Sequence, residues 1–202
     1  MPPIESSVTV LILWAVIGYL FGSIPAGVIL AKVMGLGNLR EIGSGNIGAT
    51  NVLRTGNKKA AALTLLFDGG KAIVAILLAR LLAGEDAAQI AALAAFIGHC
   101  FPVWLGFKGG KGVATYFGIV LVLAPMAGLV ACAIWLITAA LFRYSSLAAL
   151  LTAGWTPVAM TFLGESTTFF LGIVLGIAIY IRHWGNISRL RRGEETKIGR
   201  SS

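Results

Sequence analysis

The sequence predicts an all-α polytopic membrane protein with seven transmembrane helices, two of them short, the N-terminus outside and the C-terminus cytoplasmic. Three observations carry that prediction. Apolar residues make up 57% of the 202-residue chain and charged residues only 12%, where soluble domains hold roughly 25% charged residues. The apolar residues fall into runs long enough to cross a bilayer. The basic residues fall almost wholly into alternate loops. This length leaves room for a single transmembrane domain, residues 1–202, with a basic tail from about residue 183 to 202 and no separate soluble domain.

Taken in order, the first span is residues 8–34. Glu5 precedes it in place of a basic stretch, and the run extends well past 15 residues, so a retained helix is expected in place of a removable signal peptide. Further spans are expected at 60–82, 87–105, 146–163 and 166–181. The stretch 113–142 is too long for one relaxed crossing and contains Pro125, which removes a helix hydrogen bond and clashes with the preceding turn. One kinked helix there gives six spans; a turn at Pro125 gives seven, with short helices near 113–124 and 126–141.

Charge decides for seven. With the N-terminus outside, Lys32, Arg40, Arg54, Lys58, Lys59, Lys108, Lys111, Arg143 and the tail from Arg182 to Arg200 share the inner face. Glu5, Glu85, Asp86 and Glu165 share the outer face, with Arg80 as the one basic exception. That is the positive-inside distribution. Short helices are tolerated at membrane depth where they line a polar cavity.

Three polar, glycine-rich segments interrupt the apolar runs: GSGNIGATN (43–51), GFKGGKGVAT (106–115) and RHWGNISRL (182–190). The predicted topology puts all three, and RYSS (143–146), on the cytoplasmic face, where one composite polar site accounts for them.

In the second segment Gly106, Gly109, Gly110 and Gly112 free backbone amides from Cβ atoms, Lys108 and Lys111 supply charge, and an apolar helix follows directly. These are the parts of an anion cradle, phosphate above all. It is not a Walker A loop, because no G-x-x-x-x-G-K-[ST] register fits. The first segment offers Ser44, Asn46, Thr50 and Asn51 around Gly48, followed by Arg54. Its polar side chains suit a phosphate or polyol, with Arg54 as a bidentate phosphate ligand; equally, Ser44 or Asn46 suits a helix N-cap. In the third, His183 and Asn186 share a face if the last helix continues, while Arg182 and Arg189 suit either an anionic substrate or an interfacial anchor. Asp68 and Lys71, i,i+3 neighbours inside the second span, suit a structural ion pair or the site. His99, within an apolar run, reads as a structural histidine, and Cys100 and Cys132 as packing residues with no metal-ligand spacing.

Absences narrow the chemistry. The fifth residue after His99 is Trp104 and after His183 is Ser188, so the common acyltransferase H-x-x-x-x-D pair is missing. No acidic cluster suits metal-dependent phosphotransfer. Many anion binders and few general bases suit a substrate that arrives already activated. A small-anion transporter and a membrane phosphatase are the alternatives, weakened by polar residues clustered on one face, by the lack of an inverted repeat and by the lack of an evident nucleophile.

Together the segments resemble the membrane glycerol-3-phosphate acyltransferases that use acyl phosphate, the PlsY family. SGNIGATN with Arg54, GHCFPVWLGFKGGKGVAT (98–115) and RHWGNISRLRRGEE (182–195) follow the family's three motifs in order and spacing, and GSIPAG (22–27) resembles its first helix; Trp184 and Gly185 depart from the more polar residues expected there. The resemblance implies transfer of a fatty acyl group from acyl phosphate to the 1-hydroxyl of glycerol 3-phosphate, the first acylation of bacterial phospholipid synthesis, without a cofactor or metal. It implies a bacterial inner-membrane enzyme with its site facing the cytoplasm, a lipid-bilayer setting, a soluble acyl-phosphate-producing enzyme as candidate partner, and no nucleic acid.

Residue by residue, the resemblance makes Ser44, Arg54, Lys108, His183 and Asn186 catalytic. It gives substrate binding to Asn46, Gly48, Thr50, Asn51, Gly106, Gly109, Gly110, Lys111, Gly112, Arg143 and Ser146, and a structural role to Glu195. No activated cysteine or base-paired serine is evident, so direct transfer without an acyl-enzyme is expected. A lateral apolar groove flanking the second motif is expected for the acyl chain.

Overall fold

The structure, a computed structural model, describes residues 1–199, so Arg200 at the end of the basic tail lies outside the described residues. Among the described residues every regular element is helical. The chain divides into two compact units, Pro2–Ile119 and the part from Val120 onward.

The first unit holds α1 (Val8–Ser23), α2 (Ala26–Val33), α3 (Ala49–Leu53), α4 (Lys58–Ala83), α5 (Glu85–Cys100), a 3-10 turn at Val103–Leu105 and the start of α6 (Val113–Leu123). The expected span 8–34 is two helices, because Pro25 has no N–H to continue the ladder and disfavours a helical Ile24. Ile24 is extended at ψ 115°, and α2 resumes after Pro25. Helix α1 lies on α5 through small residues: a Cβ on Gly18 would strike the Ala91 backbone, and one on Gly22 the Ala95 backbone. Two glycines four apart facing two alanines four apart allow the close backbone approach favoured inside bilayers. Tyr19 donates to the Phe101 carbonyl at 2.8 Å and Trp104 Nε1 to Ser23 Oγ at 2.8 Å, fixing the chain after α5 against α1.

In the second unit come α7 (Pro125–Phe142), α8 (Ser145–Phe162), a 3-10 turn at Ser166–Thr168, α9 (Phe169–Arg182) and α10 (Trp184–Arg192). The helix expected to break at Pro125 does so: Ala124 leaves helical geometry at φ −145°, and Pro125 starts α7. A Cβ on Gly128 would lie 2.8 Å from Leu121 Cα. In a continuous helix, residues seven apart are roughly 10 Å apart along the axis, so the chain reverses here. The Glu165 carboxylate accepts from Met126 N at 3.0 Å and Ala127 N at 2.9 Å, satisfying two amides that a helix start leaves unpaired.

Among the described residues, four segments suit a membrane crossing by length and composition: Val8–Val33, Lys58–Ala83, Glu85–Leu105 and Pro125–Phe142. The bent pair Ser166–Arg182 and Trp184–Arg192 makes a fifth if it is counted as one span, and α6 is a shorter apolar helix. On α4, Ala72, Ala75 and Ala79 are buried while Leu66, Phe67, Leu81 and Leu82 face outward. Small residues inside and large apolar ones outside are the arrangement of helices packed in hydrocarbon.

Candidate functional site

Asn51 organises the first motif. It is buried at 1% exposure, its Nδ2 donates to the Leu39 carbonyl at 2.9 Å, and its Oδ1 accepts from Ser44 N at 3.0 Å, Ser44 Oγ at 3.3 Å and Arg54 Nη1 at 3.2 Å. One amide thus holds a serine and a guanidinium side by side. Gly43 makes room for this: its φ is +51°, and a Cβ there would crowd Arg54 and the Asn51 oxygen. Neither Ser44 nor Asn46 caps α3, as the cap position is Gly48 with no side-chain bond. That leaves Ser44 to the Asn51 network.

The second motif turns back along the end of α5. Gly106 and Phe107 are both left-handed, at φ 57° and 62°, and the chain then runs antiparallel to the last residues of the helix. Gly109 N donates to the Cys100 carbonyl at 3.1 Å and Gly110 N to the His99 carbonyl at 3.0 Å. Two of the four glycine amides that spacing assigned to an anion therefore cap α5, whose terminal carbonyls need donors. The glycines also permit contact: a Cβ on Gly110 would collide with the His99 ring, and one on Gly112 with the Phe96 ring. Lys108 is exposed, Lys111 is half-buried, and α6 starts at Val113.

Beneath this loop the Asp68–Lys71 pair is a trio. Lys71 Nζ donates to Asp68 Oδ1 at 2.8 Å and to the Ile24 carbonyl at 2.8 Å, and lies 3.0 Å from His99 Nδ1. All three side chains are buried, and Thr115 Oγ1 donates to the Asp68 carbonyl at 3.0 Å. His99 was legible only as a structural histidine; its partners lie 28 or more residues away in sequence, beyond the reach of periodicity.

The sequence shows Arg40 only as part of the inner positive charge. Its guanidinium donates to the Gly45 carbonyl at 3.2 Å and to the Lys108 carbonyl, stitching the first motif to the second. Beside it opens a cleft of about 580 Å³ with apolar walls including Val28, Leu39 and Leu105, and with Lys32, Arg40 and Lys108 also on its lining.

In the second unit the last helix does not continue straight through the third motif: it is bent by 59° between α9 and α10. The bend falls at His183, which is buried and whose Nδ1 lies 2.8 Å from the Ile179 carbonyl. A carbonyl only accepts, so the proton sits on Nδ1. Asn186, also buried, donates to Glu195 Oε1 at 2.6 Å, joined there by Ser146 Oγ at 2.7 Å, while Arg189 Nε donates to Oε2 at 2.7 Å. Burial alone raises the Glu195 carboxyl, but the hydrogen bonds from Ser146, Asn186 and Arg189, with the Arg189 charge, outweigh it and hold the group below the usual carboxylate range. Two residues later the tail continues along the same corner: Arg143 Nη2 donates to the Ile198 carbonyl at 3.0 Å, Ile198 N donates to the Arg143 carbonyl at 2.7 Å, and Lys197 lies 5.6 Å from the Tyr144 ring centre.

A profile of the family described as Glycerol-3-phosphate acyltransferase matches residues 12–193. Proteins named Glycerol-3-phosphate acyltransferase from Jannaschia sp. (strain CCS1) and Roseobacter denitrificans are 58% and 62% identical, the first over 100% of both chains, the second over 97% of this chain and 98% of that one. Two crystal structures of PlsY, described as an integral membrane glycerol 3-phosphate acyltransferase, superpose closely. The glycerol 3-phosphate form gives a TM-score of 0.88 at 38% identity over 94% of this chain and 96% of that one. The lysophosphatidic acid form gives 0.84 at 35% identity over 94% and 95%.

Proposed function

The chain belongs to the glycerol-3-phosphate acyltransferase family, and from that premise we propose that it transfers a fatty acyl group from acyl phosphate to the 1-hydroxyl of sn-glycerol 3-phosphate. The products are 1-acyl-glycerol 3-phosphate and inorganic phosphate, and the step is the first acylation of bacterial phospholipid synthesis. Its setting is the bacterial inner membrane, with seven spans, the N-terminus outside, and the site and C-terminus cytoplasmic. The reversal at Pro125 and the positive-inside charge support that topology.

The observation that carries the reading is the Asn51 network, in which a buried amide holds the Arg54 fork beside the Ser44 hydroxyl. A guanidinium and a hydroxyl at that spacing suit the phosphate of glycerol 3-phosphate. On the second motif Lys108 and Lys111 add charge for the same glycerol 3-phosphate, while Gly106, Gly109, Gly110 and Gly112 hold the loop that carries them. Asn46, Gly48 and Thr50 belong to the same substrate-binding set. His183 and Asn186 serve the reacting hydroxyl, and Arg143 and Ser146 bind substrate from positions held by Ile198 and Glu195. The cleft beside Leu105, with both apolar walls and lysines, supports a place for the first carbons of the acyl chain.

In the reaction the 1-hydroxyl oxygen forms an ester bond to the acyl carbonyl carbon as the anhydride C–O bond to phosphate breaks. The hydroxyl proton passes to His183 Nε2 or to an oxygen of a substrate phosphate, and phosphate departs. Acyl phosphate carries a good leaving group, so holding the substrates in line and neutralising their charge supplies most of the catalysis. His183 is oriented through Nδ1 by a neutral carbonyl, which strengthens it as a base less than a carboxylate would. No covalent acyl-enzyme forms, so labelled acyl chain does not remain on the denatured protein.

The test is purified protein with glycerol 3-phosphate and either palmitoyl phosphate or palmitoyl-CoA, following lysophosphatidic acid and phosphate. Product from palmitoyl phosphate alone is expected. Product from palmitoyl-CoA alone overturns the donor assignment.

A further inference from the structure

The mechanism leaves unused the buried trio under the second motif. Ionisable groups inside a membrane span are expensive, and replacing a buried ion pair by well-packed apolar side chains is often no loss of stability. Asp68, Lys71 and His99 are 2%, 8% and 4% exposed, and packing alone gives no reason for three polar side chains here.

We propose that His99 is a positioning residue for glycerol 3-phosphate, locked by Lys71 and Asp68 so that its ring sets the backbone of the second motif at Gly110. This rests on the reading that the second motif binds that substrate. An ammonium has three protons and no lone pair. Two of the Lys71 protons go to Asp68 Oδ1 and the Ile24 carbonyl, and the third faces His99 Nδ1 at 3.0 Å. Asp68 Oδ1 lies at 3.4 Å from the same nitrogen, and the shorter Lys71 contact makes Nδ1 the acceptor and puts the ring proton on Nε2. That edge is the one a Cβ on Gly110 would strike.

Residue 110 is held to residue 99 twice, by its amide on the His99 carbonyl and by its Cα against the ring. Lys108 and Lys111 flank the clamped pair Gly109 and Gly110, so the ring's position fixes where both lysines leave the backbone. The same turn of α4 holds the far end of the motif, through Thr115 Oγ1 on the Asp68 carbonyl. A ring that moves loses the loop's height at one end while Thr115 keeps the other. An error of about 1 Å in the placement of such groups costs up to roughly a hundredfold in rate.

Two variants separate the two edges of the ring. In His99→Asn the amide oxygen replaces Nδ1 as acceptor for Lys71, but nothing reaches Gly110. In His99→Gln the amide nitrogen replaces Nε2 toward Gly110, but the Nδ1 acceptor is gone. Steady-state kinetics in detergent are expected to give His99→Asn a KM for glycerol 3-phosphate about tenfold higher, with kcat and KM for acyl phosphate within about threefold of the parent. His99→Gln, which still reaches Gly110 but has lost its lock, raises that KM less than His99→Asn does and loses thermal stability. If His99→Asn changes only the unfolding temperature, or lowers kcat with KM unmoved, the inference is overturned. Lys108→Ala and Lys111→Ala are run alongside. If both leave KM for glycerol 3-phosphate unchanged, the substrate reading of the motif fails and the inference falls with it; if they raise it and His99→Asn does not, only the inference fails.

Discussion

Asn186 Nδ2 donates to Glu195 Oε1 across 2.6 Å, so a residue of α10 that the third motif assigns to chemistry is held by the tail that follows the helix. Ser146 shares that oxygen and Arg189 takes the other. Glu195 is thus the common acceptor for side chains from two helices.

Replacing Glu195 by Ala is expected to cost about 2 kcal/mol, since it strips the acceptor from two buried donors and one half-buried one. Thermal unfolding in detergent measures this. Glu195→Gln, which keeps an acceptor oxygen, falls between parent and Ala. An Ala variant as stable as the parent means the tail does not hold these helices.

Acid has a defined effect on the same contact. The folded Glu195 carboxyl titrates below its ordinary value of 4.5, so folding favours the ionised form. The stabilisation is complete above that ordinary value and is lost as pH falls below it through the folded value. Unfolding temperature followed from pH 7 to pH 3 is expected to drop more steeply for the parent than for Glu195→Gln. Parallel curves rule the contribution out.

Asn51→Ala is expected to lower kcat/KM for glycerol 3-phosphate about a hundredfold, because Ser44 and Arg54 lose their shared anchor. Asn51→Asp keeps the acceptor but sets a carboxylate against Arg54, competing with the substrate phosphate, and raises KM more than it lowers kcat. An Ala variant within about threefold of the parent makes the network dispensable.

His183→Gln tests the base. A histidine that takes the hydroxyl proton contributes about a hundredfold or more, read as kcat at saturating substrates. A near-normal kcat assigns the proton to a substrate phosphate.

Much of the fold was legible because its causes are local. Pro125 breaks its helix by local chemistry, and the first two glycine-rich segments hold loops at 43–48 and 106–112, while the third runs into helix α10. Pro25 has the same chemistry but sits between two apolar stretches in one run of spanning length, so it did not register as a break. The site was legible in its residues and not in its contacts. Asp68 and Lys71 are one helical turn apart and pair as spacing requires, yet His99 joins them from another helix. Ser146 and Glu195 are 49 residues apart, and no periodicity connects them. Glycine spacing marks where backbone can come close, but it does not say to what: for Gly109 and Gly110 the partner is the end of α5.

The seam between Gly18 and Gly22 on one side and Ala91 and Ala95 on the other also has a meaning in time. These positions are about seventy residues apart in the chain, and synthesis runs at roughly 5–20 residues per second, so the first helix exists for about 4 to 15 s before its partner is made. During that interval its glycine-lined stripe lies open to lipid or to any neighbour narrow enough to fit. Newborn chains are most open to mispairing then, and lengthening the loops between these helices would prolong the wait without changing the finished seam.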